Sequence, residues 1–252
     1  DSVRAQVGDT ESTGFCNVTG GSRTTFATGM AVTQACEDVI AECKKRAAMT
    51  WGVDADQVEW EDGRAVPGPG VNADVKPLSL ADLAGSTAKT GGPIQGRASV
   101  NAQGAGASFS LNFADLRVDP ETGKVDVLSY TAVQDAGKAI HPAYVEGQMQ
   151  GGAVQGIGWA LNEEYVYNDA GVMENAGFLD YRIPVASDLP MISTEIVEVP
   201  NPSHPYGVRG VGETPIVAPL AVVTNAVSRA LDHRMTTLPL SPPNIVAALE
   251  DN

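Results

Sequence analysis

The chain has 252 residues, and 16 Lys and Arg against 31 Asp and Glu give it a formal net charge of −15 at pH 7. An acidic surface repels nucleic-acid backbones and anionic membranes, so neither is expected as a partner. Charged residues make up 19% and apolar residues 43% of the sequence, which predicts a folded chain. No window approaches 18 consecutive apolar residues, and no basic region precedes an apolar one at the start. We therefore expect neither a membrane span nor an intact signal peptide.

The cysteines Cys16, Cys36 and Cys43 are odd in number and form no Cys-x-x-Cys pair. This pattern argues against an iron–sulfur cluster or a Cys-rich zinc site within the chain. We expect buried, reduced thiols.

The first half of the chain predicts helix, strand and loop in turn. Apolar residues at three- and four-residue spacing indicate an amphipathic helix over residues 29–48. A short strand over 57–60 runs into a turn at 61–63. Residues 65–71 contain two prolines, which cannot donate to a ladder, so a loop is expected there. A short helix follows near residues 78–84.

The second half predicts a hairpin and longer helices. Alternating polar and apolar residues indicate paired strands over 108–118 and 125–133. The later elements predicted are helix 142–161, strands 165–167 and 192–199, helix 214–231 with Thr214 as its N-cap and Pro215 as its first residue, and helix 242–250. Interspersed helices and strands indicate an α+β fold, with mixed and antiparallel sheets and packed helices.

Familiar catalytic signatures are missing from the sequence. It contains no phosphate-binding Gly-x-x-x-x-Gly-Lys-Ser/Thr loop, no His-Glu-x-x-His helix and no Gly-x-Ser-x-Gly elbow. Nucleoside triphosphatases, zinc peptidases of that motif and α/β-hydrolases are therefore excluded.

Three other segments carry candidate chemistry. The first places Gly20, Gly21, Ser22, Thr24 and Thr25 just before the first helix. Free backbone N–H groups and hydroxyls at a helix start can form a cradle for an anion. The alternative is an ordinary Ser/Thr cap.

The second segment is a run of glycine and glutamine over residues 147–158, beginning Gly147-Gln148. Its glutamines can exchange hydrogen bonds with a large polar ligand, and its glycines allow that ligand close to the backbone. Close helix packing is the alternative.

The third segment runs from Pro205 to Pro215 and contains Glu213 at a helix start. The helix dipole favours the ionised carboxylate, which is then ready to accept a proton. The alternative is an acidic residue paired with a basic neighbour.

The three segments in this order resemble the second half of the molybdenum-binding subunit of the xanthine dehydrogenase and aldehyde oxidase family. Residues 180–184 (Asp-Tyr-Arg-Ile-Pro) and 238–242 (Leu-Pro-Leu-Ser-Pro) support the resemblance. It implies that residues 1–252 form the second molybdopterin-binding domain, made of two intertwined α+β subdomains. The metal is held there by a pterin dithiolene, so no protein ligand to molybdenum is expected.

The resemblance also implies roles for single residues. Ser22, Thr24 and Thr25 would hold the pterin and its pyrophosphate, and Gln148 would hydrogen-bond the pterin. Arg209 would lie behind the base Glu213. The rest of the expected cofactor-binding set is Gly20 and Gly21, which fall over the substrate pocket, with Gly210, Val211 and Gly212.

The implied reaction is hydroxylation of an N-heterocycle or an aldehyde with oxygen from water, with Glu213 as general base. The pterin is expected in its cytosine dinucleotide form. Electrons would leave through [2Fe-2S] clusters to FAD or another acceptor on partner chains. We expect a cytoplasmic complex, with the periplasm as the alternative location.

Nothing in the chain matches the first half of the family's molybdenum subunit. We therefore expect a fragment, a processed piece or one subunit of a split protein, inactive without its partner half. Two alternatives stay open, a non-catalytic assembly subunit and a carbon monoxide dehydrogenase-type subunit. A Cys-dependent aldehyde dehydrogenase using Cys16 finds no supporting motif.

Overall fold

The computed structural model describes residues 3–11, 14–72, 74–104 and 106–250. Its elements in chain order are helix α1 (Arg23–Trp51), a 3₁₀ turn (Ala55–Gln57), strands β1 (Val58–Glu61), β2 (Arg64–Pro67) and β3 (Leu78–Ser79), helix α2 (Leu80–Thr90), strands β4 (Ser110–Val118) and β5 (Val125–Asp135), helix α3 (Pro142–Leu161), strand β6 (Ser193–Val197), and helices α4 (Thr214–Leu231) and α5 (Pro242–Glu250). The predicted α+β class, with small antiparallel and mixed sheets, is confirmed.

The N-terminal elements share one small core. Strands β1, β2 and β3 form an antiparallel sheet in that order. Helices α1 and α2 pack beside it, and Cys43, Ala47, Val58, Ala65 and Leu83 are fully buried there. Burying such side chains contributes about 1.5–3 kcal/mol for each of the larger ones.

The remaining elements share a larger core. Strand β5 pairs antiparallel with β4 and parallel with β6. One face of this sheet is covered by α3 and α4, and Tyr130, Met149, Ile157 and Val223 are among the buried residues. The ends of β5 and the starts of α3 and α4 are thereby brought together.

Two glycines allow α3 and α4 to pack closely. A Cβ on Gly152 would lie 2.9 Å from Pro215 Cβ, and one on Gly156 would lie 2.7 Å from the Ile216 carbonyl oxygen. These distances are shorter than side chains tolerate, so the helix-packing alternative is right for both glycines. Gly147 and Gly151 meet nothing within 4 Å.

Within the described part of the chain, α4 is the one helix long and apolar enough to cross a membrane by length and composition. One of its faces, with Pro215, Pro219, Val223 and Val227, is buried in the larger core. A helix that packs in a protein core passes the same test.

Several predicted elements differ from those observed. Helix α1 is longer at both ends than residues 29–48 and stops at Gly52, whose φ of 69° is left-handed. The loop predicted over 65–71 is wrong at its start, because β2 continues to Pro67, which pairs with Val58, and the Gly68 N–H supplies the next bond to the Gln57 carbonyl oxygen at 2.7 Å. The strand predicted over 165–167 is a single bridge between Tyr167 and Met173. The N-cap of α4 is Glu213 rather than Thr214.

The cysteines are free, but the expectation that all are buried is wrong for two of them. Cys16 and Cys36 are exposed, and only Cys43 is buried. Burial raises the pKa of the Cys43 thiol, as does the neighbouring Glu42 carboxylate. Cys36 lies two turns before Cys43, and the residues of α1 that pack in the small core begin only at Val39.

We predict that Gly156→Ala destabilises the fold by about 2 kcal/mol, because the added methyl overlaps α4. The melting temperature, measured by circular dichroism, should fall by about 4–8 °C. Gly151→Ala is the matched control in the same helix, and its better helix propensity should raise stability by up to about 1 kcal/mol. Equal melting temperatures for the two variants would contradict the close packing.

Candidate cofactor and catalytic site

A cavity of about 600 Å³ lies where the three candidate segments meet. It is bounded by the start of α1, the start of α3 and the loop before α4. Its lining includes predicted residues from all three segments, namely Ser22, Thr24, Thr25, Gln148, Arg209, Val211 and Gly212.

The lining of this cavity contrasts with the acidic chain around it. No Asp or Glu is among its described lining residues, whereas Lys138 and Arg209 are both present. The first turn of α1 contributes Thr24 and Thr25, and its N-cap Ser22 makes no side-chain bond to that turn. The helix start therefore offers uncapped N–H groups and a partial positive charge to a ligand.

Ser22 connects the start of α1 to the start of α4. Its Oγ accepts hydrogen bonds from the N–H of Gly212 at 2.9 Å and of Glu213 at 3.3 Å. Its own backbone has φ 55°, a left-handed conformation that is uncommon outside glycine. The hydroxyl thus satisfies two donors that precede α4, and its O–H remains able to donate.

Glu213 lines a second, smaller cavity of about 180 Å³ rather than the larger one. Gly21, Gly210 and Ser108 line it as well, and Ser22 lies in the wall between the two cavities. The carboxylate is at the N-cap of α4 and makes no side-chain cap bond.

Gly212 keeps a cradle open between a hydroxyl and an amide. A Cβ there would lie 3.1 Å from Ser22 Oγ and 3.6 Å from Gln148 Oε1. Larger side chains would fill the space between these two polar groups. Hydroxyls, an amide and helix-start N–H groups around an open cradle fit a polar organic ligand with anionic groups, as a pterin with its phosphate is.

Arg209 is an anchor within the protein. Its Nε lies 3.2 Å from Asp135 Oδ2 and donates to the Val199 carbonyl oxygen at 2.9 Å, and its Nη1 donates to the Ala107 carbonyl oxygen at 2.7 Å. Only 13% of the Arg209 side chain and 11% of the Asp135 side chain are exposed. The pair therefore fixes the start of the loop that carries Glu213.

Sequence reasoning missed three residues in the wall of the larger cavity, namely Lys138, His141 and Tyr144. The rings of His141 and Tyr144 are stacked with centroids 3.9 Å apart. Lys138 Nζ is 3.0 Å from Glu198, and the Ala139 N–H and Lys138 together lower the pKa of that carboxyl. The position of these residues just before α3 and in its first turn could have identified them, because Gln148 lies in the second turn of the same helix.

Gly20 is the one predicted site residue that lines neither cavity. Among residues 3–11, 14–72, 74–104 and 106–250, no three His, Cys, Asp or Glu side chains are grouped to hold a metal ion. Among the described lining residues of the two cavities, the one carboxylate is that of Glu213, which lines the smaller cavity.

Comparison with known proteins identifies the class to which this fold and site correspond. Residues 1–190 match the molybdopterin cofactor-binding domain model, and the chain belongs to that family. The resemblance to the xanthine dehydrogenase and aldehyde oxidase family is confirmed.

Individual relatives agree with this assignment. The chain is 36% identical over 172 residues to a xanthine dehydrogenase molybdenum-binding subunit of Escherichia coli O157:H7, a match that covers 67% of this chain and 23% of that one. It superposes on the Cu,Mo-containing carbon monoxide dehydrogenase with a TM-score of 0.78 and 27% identity, over 96% of this chain and 31% of that one.

Quinoline 2-oxidoreductase of Pseudomonas putida 86 gives a TM-score of 0.76 with 27% identity, over 92% of this chain and 30% of that one. The matched regions thus cover between 23% and 31% of the length of these relatives.

We predict that Arg209→Leu lowers the free energy of unfolding by about 3 kcal/mol, because it leaves the Asp135 carboxylate buried without its cation. Denaturant unfolding measures this loss. Arg117→Leu is the control, since Arg117 pairs with Asp126 at a surface position where its side chain is 72% exposed. That pair should contribute at most about 1 kcal/mol. An equally small effect at Arg209 would contradict its role as an anchor.

Proposed function

We propose that the chain is the half of a molybdenum-hydroxylase large subunit that holds the molybdenum–pterin cofactor and supplies Glu213 as general base. The reaction would be the oxidative hydroxylation of an N-heterocycle or an aldehyde with oxygen from water. This proposal extends the family assignment to a reaction and to named residues.

One observation carries the proposal. Three segments far apart in sequence converge on one cavity that lacks a carboxylate, while Glu213 lines a neighbouring cavity across the shared wall of Ser22. A binding space and a proton acceptor are therefore adjacent but separate. This is the arrangement needed to hold a cofactor beside a substrate.

The binding residues act through hydrogen bonds. The N–H groups of the first turn of α1 and the hydroxyls of Thr24 and Thr25 would hold anionic oxygens of the cofactor. Gln148 can donate to and accept from a pterin ring with its amide. Gly212 keeps the space between Ser22 and Gln148 free of a side chain.

The bound cofactor would supply the two-electron oxidation of the substrate. Glu213 would accept the proton released when water-derived oxygen is transferred to the substrate carbon. Its place at the N-cap of α4 holds the carboxylate beside the start of that helix. The Gly212 and Glu213 N–H groups held by Ser22 fix the backbone from which this carboxylate projects.

The rest of the machinery lies on other chains or segments in this proposal. They comprise the first half of the molybdenum subunit, an iron–sulfur subunit with [2Fe-2S] clusters and a subunit with FAD or another acceptor. The match covers only 23% to 31% of the relatives' length, which supports a need for further segments of the molybdenum subunit. The cytosine dinucleotide form of the pterin and a cytoplasmic location complete the proposal.

A carbon monoxide dehydrogenase-type function is the second candidate. The fold superposes on carbon monoxide dehydrogenase as closely as on quinoline 2-oxidoreductase, with TM-scores of 0.78 and 0.76. Reduction of the purified complex by carbon monoxide, compared with reduction by N-heterocycles and aldehydes, separates the two candidates. Molybdenum near one per protomer supports either enzyme, and a metal-free complex supports a non-catalytic assembly subunit.

We predict that Glu213→Gln in the assembled complex lowers kcat by about 10²–10⁴-fold, the usual loss when a general base is removed. Molybdenum and pterin content should stay at the wild-type level, because Glu213 does not line the larger cavity. Steady-state kinetics with metal and pterin analysis measure both quantities. Glu37→Gln, on the exposed side of α1, is the control and should retain wild-type kcat. Wild-type turnover by fully loaded Glu213→Gln would refute the assignment.

A further inference from the structure

A buried amide on β5 holds the loop that carries Glu213. Gln134 is 1% exposed, and its Nε2 donates to the Gly210 carbonyl oxygen at 3.1 Å. Gly210 is three residues before Glu213, and the same carbonyl accepts from Thr214 Oγ1 at 3.3 Å. The bond from Gln134 therefore links the end of β5 directly to the start of α4.

The surroundings of Gln134 make a purely structural role a poor explanation for this residue. Within the described residues its Oε1 is buried and has no hydrogen-bond partner. A buried acceptor without a partner destabilises the fold, so an apolar residue of the same shape would serve the core better. On the neighbouring strand β4, both polar side-chain atoms of Asn112 are likewise buried without a hydrogen-bond partner.

The loop is held from three directions, and Gln134 provides one of them. Ser22 Oγ binds the Gly212 and Glu213 N–H groups from the α1 side, and Arg209 is anchored by Asp135 at the start of the loop. Gln134, on strand β5, binds the Gly210 carbonyl oxygen, which lies between these two points of the loop. Removing it leaves Gly210 without its contact to β5 and allows Glu213 to shift.

We propose that Gln134 is a positioning residue for Glu213. It acts through the Gly210 carbonyl and the backbone of residues 210–213, and it contacts neither cavity. Its effect on turnover rests on the proposed function of Glu213, whereas its effect on the loop does not. Displacement of a reacting group by about 1 Å can cost on the order of 100-fold in rate.

The test compares Gln134→Met with Asn112→Leu in the full subunit within its assembled complex. Met keeps the length of Gln and removes both the bond to Gly210 and the unpaired Oε1. Asn112→Leu is the matched control, because it removes buried unpaired polar atoms from the same sheet face and the Asn112 side chain makes no hydrogen bond to the loop. Gln134→Asn, which keeps the amide but shortens its reach, is the second variant should Met disturb folding.

Hydrogen exchange by mass spectrometry reads the loop without any need for turnover. Both Gln134 variants should exchange the amides of residues 210–213 about five- to ten-fold faster than wild type, and Asn112→Leu should not. Steady-state kinetics should show kcat lowered by about 10- to 100-fold in the Gln134 variants, with the substrate KM little changed.

Unchanged exchange in residues 210–213, with or without a lower melting temperature, would make Gln134 a core residue only and overturn the proposal. Faster exchange with wild-type kcat would also overturn it if Glu213→Gln is inactive. If Glu213→Gln itself keeps wild-type turnover, the general-base function fails, and faster exchange still supports Gln134 as the residue that positions this loop.

Discussion

The hydroxyl of Ser22 joins the two helix starts on which the whole site depends. Its oxygen accepts hydrogen bonds from the N–H groups of Gly212 and Glu213, in the loop that lies 190 residues further along the chain. The left-handed backbone of Ser22 costs about 1–2 kcal/mol, and two hydrogen bonds at about 1 kcal/mol each offset it. The two cavities therefore share a wall that exists only when α1 and α4 are both in place. The site is therefore complete only when both cores, to which α4 and α1 belong, are folded.

Rigid support for Glu213 comes from strand β5 as well. Asp135 ends that strand and pairs with Arg209, and Gln134 precedes it and binds Gly210. Adjacent side chains of a strand point to opposite faces of the sheet. Gln134 and Asp135 therefore bind Gly210 and Arg209 from opposite faces of β5. A carboxylate on an exposed loop thereby gains a fixed backbone.

Sequence reasoning predicted the segments that form this site better than the hydrogen bonds that join them. Helices α3 and α5 match the prediction, because Pro142 and Pro242 begin them after residues suited to a helix start. The three candidate segments were recognisable from glycine, hydroxyl and carboxylate residues close to helix starts. Gln134 was not, because a glutamine in an alternating strand gives no local sign that it binds a loop 76 residues away. Such contacts depend on tertiary packing, which periodicity does not encode.

The positive charge that the larger cavity offers to a ligand comes from backbone N–H groups rather than from side chains. Both cations in its wall are paired within the protein, Lys138 with Glu198 and Arg209 with Asp135. What remains positive is the uncapped start of α1, whose N–H groups carry a partial charge of about half a unit. A ligand there is selected by shape and hydrogen bonding more than by net charge. An acidic protein can in this way bind an anionic, polar cofactor without placing a free cation in the site.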